Sequence, residues 1–195
     1  EIVKVMFIVS VNKRLLFVFF FFFFCFIYAN VCSATSKNHL SKDPDRHNEE
    51  QSLNELIQAA EQGKADAQYN LALKYHNGKA VPKNDKKAFE WYTKAAEQGM
   101  ALAQFNLGVM YLRGDGIPQN AKRAVEWFSK AAEQGDADAQ YSLAVMYDNG
   151  TGVPKDDKKA FGLTTKAAEQ GNAKAQYNLA LMYENEKGVP KDDKK

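Results

Sequence analysis

One five-residue string governs this chain. Ala59-Ala60-Glu61-Gln62-Gly63 returns unchanged at 95–99, 131–135 and 167–171, a step of 36 residues each time. No register slip separates the copies, so the period is structural. A fixed period in this range marks a solenoid, in which each unit buries its apolar face only against its neighbours. Whatever follows residue 50 must therefore fold as a stack of similar pieces.

The pieces read as helix pairs. In the first-type helix, about 65–77, Ala67, Leu71, Ala72 and Tyr75 fall on one face at three-to-four spacing. The same register later carries Ala103, Leu107, Gly108 and Tyr111, then Ala139, Leu143, Ala144 and Tyr147, then Ala175, Leu179, Ala180 and Tyr183. The small residue at 72, 108, 144 and 180 lets a partner helix come close, and the tyrosine fills the wider gap one turn on. A loop with Gly, Val or Ile, and Pro follows each first helix, and Pro stops that helix from continuing. Asn84, Asn120, Asp156 and Asp192 stand where an N-cap is wanted. The second-type helix, about 85–98, has the stripe Ala88, Trp91, Tyr92, Ala95 and Ala96, repeated as Ala124, Trp127, Phe128, Ala131 and Ala132. The third copy departs: Leu163 and Thr164 replace the two aromatics, beside Gly162. Glycine inside a helix costs about 1 kcal/mol relative to alanine, so the third unit is expected to be the softest.

Before the repeats lie two other segments. Lys13-Arg14 precedes an apolar run over 15–29, with eight phenylalanines between Phe17 and Phe26, and small residues follow at Cys32 and Ala34. A basic start, a short apolar run and a small-x-small exit describe a secretory signal peptide over 1–34. The run is short for a spanning helix, which needs about 18 apolar residues or more; a retained anchor is the alternative. Met6 is the expected true start, since the chain opens on Glu1. Residues 35–51 are polar and read as a flexible linker. Ser52 with Glu55 forms a capping box that opens a lone helix over 52–64, a half-repeat cap. Units then occupy 65–100, 101–136 and 137–172, and 173–195 holds an incomplete fourth, expected to be a truncation.

Charge and residue usage exclude several kinds of chemistry. Beyond residue 34 basic and acidic residues balance at 23 each. A neutral, mixed surface gives no electrostatic reason to bind nucleic acid or anionic lipid. Both cysteines, Cys25 and Cys32, precede the repeats, so no disulfide, thiolate metal site or cysteine nucleophile belongs to them. His39 and His47 fall in the linker without further ligands at fixed spacing, and His76 ends a first-type helix alone. Gly114-x-Gly116 and Gly150-x-Gly152 are similar to phosphate-binding loops, yet they follow a helix where that fingerprint follows a strand. Asp156-Asp157 and Asp192-Asp193 read as helix starts, where carboxylates meet the positive dipole end. No cofactor or metal is expected.

The pattern Ala-x-x-x-Leu-Gly/Ala-x-x-Tyr, the Gly-x-Gly-Val loop, and Lys-Ala-x-x-Trp-Tyr-x-Lys-Ala-Ala-x-Gln-Gly resemble the Sel1-like repeat family, cousins of tetratricopeptide repeats. The clearest copy runs from Ala103 to Gly135. Ala80 and Glu186 depart from the pattern at loop glycines. The resemblance implies an all-α, right-handed solenoid of antiparallel helix pairs, with a role in binding proteins or peptides. It also implies that first-type helices line the concave face. Positions two before and two after the stripe leucine would then form a ladder: Tyr69, Leu73, Phe105, Val109, Tyr141, Val145, Tyr177 and Leu181. Its polar neighbours would include Asp66, His76, Asn77, Arg113, Asp138, Asp148, Lys174 and Glu184. The same side chains could instead pack against adjacent first-type helices. The expected function is an exported, non-enzymatic scaffold: periplasmic, envelope-bound or secreted in a bacterium, luminal in a eukaryote. The alternatives are an envelope-acting enzyme or regulator of a cell-wall enzyme, since cysteine-rich relatives are described as binding or hydrolysing β-lactams, and a luminal adaptor in protein quality control in a eukaryote. Neither their cysteine pairs nor a Ser-x-x-Lys motif occurs in the repeats here.

Overall fold

The computed structural model describes residues 44–189, with side chains from Glu50 onward. These residues form eight helices: α1 (Pro44–Glu61), α2 (Ala65–Asn77), α3 (Asp85–Glu97), α4 (Ala101–Arg113), α5 (Ala121–Glu133), α6 (Ala137–Asn149), α7 (Asp157–Glu169) and α8 (Ala173–Glu184). There is no strand among the described residues. From α2 on, each helix packs mainly on the next in sequence: α2 on α3, α3 on α4, and so on to α7 on α8. This is the all-helical solenoid of consecutive pairs that the 36-residue period requires. The signal segment, His39 and the pair Asp192-Asp193 lie outside the described residues, as does the His47 side chain.

The first helix differs from expectation. It begins at Pro44, so the last eight residues of the expected linker are helical, and Ser52 lies inside the helix instead of capping it. Two facts explain the shift. Proline at the first helical position gives up an N–H that has no intrahelical partner there. Residues 45–58 contain neither Gly nor Pro, and each residue added to an existing helix gains a hydrogen bond. The compact unit nonetheless begins at Ser52, because only there does α1 carry apolar residues. Leu53, Leu56, Ile57 and Ala60 pack with Ala67 and Leu71 of α2.

The caps follow the sequence. Asn84, Asn120 and Asp156 accept from the backbone N–H of Lys87, Arg123 and Lys159 at 3.0, 3.1 and 3.0 Å. Each contributes about 1 kcal/mol over alanine. Gly78, Gly114 and Gly150 close the first-type helices in the left-handed conformation. At the loop positions where glycine is missing, Ala80 (φ 67°) and Glu186 (φ 51°) keep that same backbone. The loop geometry therefore survives both departures, at a cost of about 1–2 kcal/mol each.

The second loop glycine sets the spacing between units. Gly116 lies against the first turn of α3, Gly152 against that of α5 and Gly188 against that of α7. A Cβ on Gly152 would stand 2.6 Å from the carbonyl carbon and oxygen of Ala121. Each unit is thus seated on the helix start of the unit before it.

The core is a line of small and large residues in turn. Tyr92 and Phe128 are the bulkiest fully buried side chains, beside Leu71, Leu107 and Met110. The tryptophans Trp91 and Trp127, expected inside the stripe, are only half-buried. The ammonium groups of Lys94 and Lys130 sit over their rings at 3.9 and 4.1 Å from the centroids. Both rings still pack against the buried core, and the lysine three residues on, one turn of helix away, covers the part left open.

The third unit lacks this filling. Thr164 is buried and bonds back to the Ala160 carbonyl at 2.8 Å. Clefts of about 230 and 410 Å³ open on two faces of α7, the larger one beside Gly162 and Leu163. Amide hydrogen exchange in α7 is expected to run about tenfold or more faster than in α5, given a deficit of roughly 1–3 kcal/mol in buried aromatic area. Equal protection of the two helices would contradict that expectation.

Candidate partner-binding face

The ladder positions occupy one register on α2, α4, α6 and α8, four residues apart within each helix, and so share one face. Tyr69, Leu73, Phe105, Val109, Tyr141 and Val145 are half-buried, while Tyr177 and Leu181 are exposed. Tyr69 tilts against Tyr92 at 5.8 Å between ring centroids, and Phe105 against Phe128 at 5.7 Å. In the first two units the ladder aromatic therefore rests on the second-type helix of its own pair. In the third, Thr164 offers no ring, and the Tyr141 hydroxyl instead accepts from Asn178 Nδ2 at 2.9 Å. That hydrogen bond links neighbouring first-type helices directly. The six ladder side chains of α2, α4 and α6 are thus partly packed and partly open, whereas Tyr177 and Leu181 of α8 stand exposed.

Several polar neighbours have partners that their positions in the chain do not show. His76 Nδ1 lies 3.1 Å from Asp85 Oδ1, so this histidine is paired and not alone. Asp138 accepts from Asn172 Nδ2 at 2.8 Å. Asp148 forms an ion pair with Lys187, whose ammonium is held above its ordinary pKa by that hydrogen bond. Asp66, Asn77, Arg113, Lys174 and Glu184 are exposed. Among the described residues no group of three or more His, Cys, Asp or Glu could hold a metal ion. No described helix is long and apolar enough to cross a membrane.

One constellation escaped the sequence reading. Gln68, Gln104 and Gln140 are buried polar residues in the first turn of α2, α4 and α6. Gln68 Nε2 donates to the Ala60 carbonyl at 3.1 Å, and Gln68 Oε1 accepts from Gln98 Nε2 at 2.6 Å. The relay recurs with Gln104, Ala96 and Gln134 at 3.1 and 2.7 Å. A third copy joins Gln140, Ala132 and Gln170 at 3.3 and 2.8 Å. Each glutamine closes the end of the preceding second-type helix and receives the next one's Glu-Gln-Gly amide. The signal was present in the fixed Ala-Gln and Gln-Gly positions of every copy, but an apolar-stripe search passes over polar residues. Gln104→Leu keeps the volume and removes both bonds. It is expected to lower stability by about 1–3 kcal/mol in urea unfolding followed by tryptophan fluorescence, whereas an unchanged midpoint would make the relay incidental.

Comparison with known proteins agrees with this architecture. The family model described as Sel1 repeat matches residues 65–100, 101–136, 137–172 and 173–195. A Sel1 repeat protein from Oxalobacter formigenes is 42% identical, with a TM-score of 0.66 over 70% of this chain and 55% of that one. A protective antigen present in uropathogenic Escherichia coli strains, displaying an SLR fold, is 43% identical with a TM-score of 0.68 over 71% of this chain and 30% of that one. The chain therefore spans only about half and a third of the lengths of these two structures. Helicobacter pylori cysteine rich protein B shares the fold at 23% identity and a TM-score of 0.55, covering 69% of this chain and 96% of that one. No curated protein matches the chain.

Proposed function

Because this chain belongs to the Sel1 repeat family, whose members generally mediate protein–protein interaction, we propose that it is an exported, non-enzymatic scaffold that captures protein or peptide partners along its ladder face. The observation that carries this reading is the ladder itself. Aromatic and aliphatic side chains recur at one register of α2, α4, α6 and α8, half-buried in the first three helices and exposed in the last. Rings already held by packing lose little entropy on binding, which suits peptide capture. Export rests on the signal-like segment at 1–34. It favours the periplasm, envelope or medium in a bacterium and the lumen in a eukaryote. The balanced charge of the repeats favours proteins over nucleic acid as partners.

Binding by a random peptide library displayed on phage tests this. Peptides selected on the full chain should bind the Tyr177→Ser variant about tenfold or more weakly, since burying a large side chain is worth roughly 1.5–3 kcal/mol. Tyr177 is 67% exposed, so the substitution leaves the core alone. Selected peptides indifferent to it and to Leu73→Ser would remove the ladder from the binding surface. Turnover of a cell-wall or β-lactam substrate by the purified protein would favour the enzymatic alternative.

A further inference from the structure

The third unit carries a hole where its neighbours carry a ring. Tyr92 in α3 and Phe128 in α5 are fully buried and stand directly behind the ladder residues Tyr69 and Phe105. Thr164 occupies that register in α7, and its hydroxyl turns back to the Ala160 carbonyl. The space left is a pocket of about 230 Å³ between α6, α7 and α8, half of its lining apolar, with Ala144, Val145, Leu181 and Met182, and half polar, with Thr164 and the Asp148–Lys187 pair. Val145 and Leu181 are ladder residues, so the pocket belongs to the ladder face. An apolar cavity of about 150 Å³ is enough to hold benzene. The register also tolerates a ring beside alanine, because Ala72 occupies in the first unit the place that Ala144 has in the third, with Tyr92 buried alongside.

We propose that this pocket is a specificity site that receives one aromatic side chain from a protein partner. The ring would take the place that Tyr92 and Phe128 fill from within their own units. The proposal rests on the reading that partners dock along the ladder face, and it adds which side chain they must carry and where it goes. Asp148 and Asn178 add polar atoms to the lining. One Asp148 oxygen is held by Lys187 and Asn178 Nδ2 by the Tyr141 hydroxyl, so the second oxygen of Asp148 and the amide oxygen of Asn178 are the acceptors that suit a phenol or indole better than a bare hydrocarbon.

The test uses the full chain and p-cresol, the side-chain analogue of tyrosine, followed by amide NMR shifts. Saturable shifts are expected at Val145, Asn178 and Leu181. They should vanish in Thr164→Phe, which fills the hole from inside, and persist in Tyr177→Ser, which is outside the pocket lining. Thr164→Leu serves as the filling variant if Thr164→Phe does not fold. In a second arm, phage-displayed peptides selected on the full chain should be enriched in aromatic residues and bind Thr164→Phe about ten- to a hundredfold more weakly. Absence of a saturable shift overturns the proposal. So do shifts that Thr164→Phe leaves unchanged. Peptides that lose binding in Tyr177→Ser but not in Thr164→Phe, without aromatic enrichment, overturn the pocket and leave the ladder reading standing. Saturable, Thr164→Phe-sensitive p-cresol shifts without any selected peptide support the pocket and count against the ladder reading instead.

Discussion

Phe128→Ala is expected to lower stability by about 3–5 kcal/mol, the usual cost of deleting a fully buried phenylalanine whose surroundings cannot collapse. The ring is 1% exposed. It lies on Gly108, where a Cβ would be 2.7 Å from the ring, and against Phe105. Helix backbones flank the vacancy on both sides, and neighbouring units hold them apart, so little can move in to fill it. Thr164→Ala at the same register of the third unit should cost about 1 kcal/mol or less, because no ring is there to lose. Urea unfolding monitored through Trp91 and Trp127 measures both. Near-equal costs would show that the second unit relaxes around the missing ring, contrary to the close packing of Phe128 on Gly108 and Phe105.

Gly152→Ala should cost about 2–5 kcal/mol. Two effects add. The residue has φ 71°, where an L-side chain costs roughly 1–2 kcal/mol. Its new Cβ would meet the backbone of Ala121 at 2.6 Å, and overpacking costs typically 1–3 kcal/mol. Backbone cannot swing aside as a flexible side chain does, so the third unit must move off the second. Gly63→Ala separates the two effects. Gly63 has φ 88° with nothing near its Cβ position, so only the conformational part is expected. If both substitutions cost the same, the contact between units is looser than the structure places it. Stability in a solenoid is a sum of unit and interface contributions, and Gly152 belongs to an interface.

The elements were legible because helix pairs obey local rules. Asn84, Asn120 and Asp156 could be placed as caps from their position alone, since a cap bonds three residues along the same chain. The stripe Ala67, Leu71, Ala72 could be read from spacing for the same reason. Pro44 misled in the other direction: polarity suggested a linker, yet a helix that need not bury a face can run on through polar residues. The ladder was legible as a register. Its division between packing and exposure was not, because that depends on what stands behind each ring in another helix.

The sequence alone determined the period, the helix pairs, the turns and the family, since all are set by contacts within a unit or repeated identically in the next. Tertiary structure alone decided that His76 meets Asp85, that the buried glutamines link consecutive units, and that replacing two aromatics leaves an open pocket rather than a repacked core. Those outcomes depend on distances between residues some 9 to 37 positions apart in the chain. Such distances are fixed only when rigid helices stack, because close-packed backbones cannot close over a gap that one side chain fails to fill.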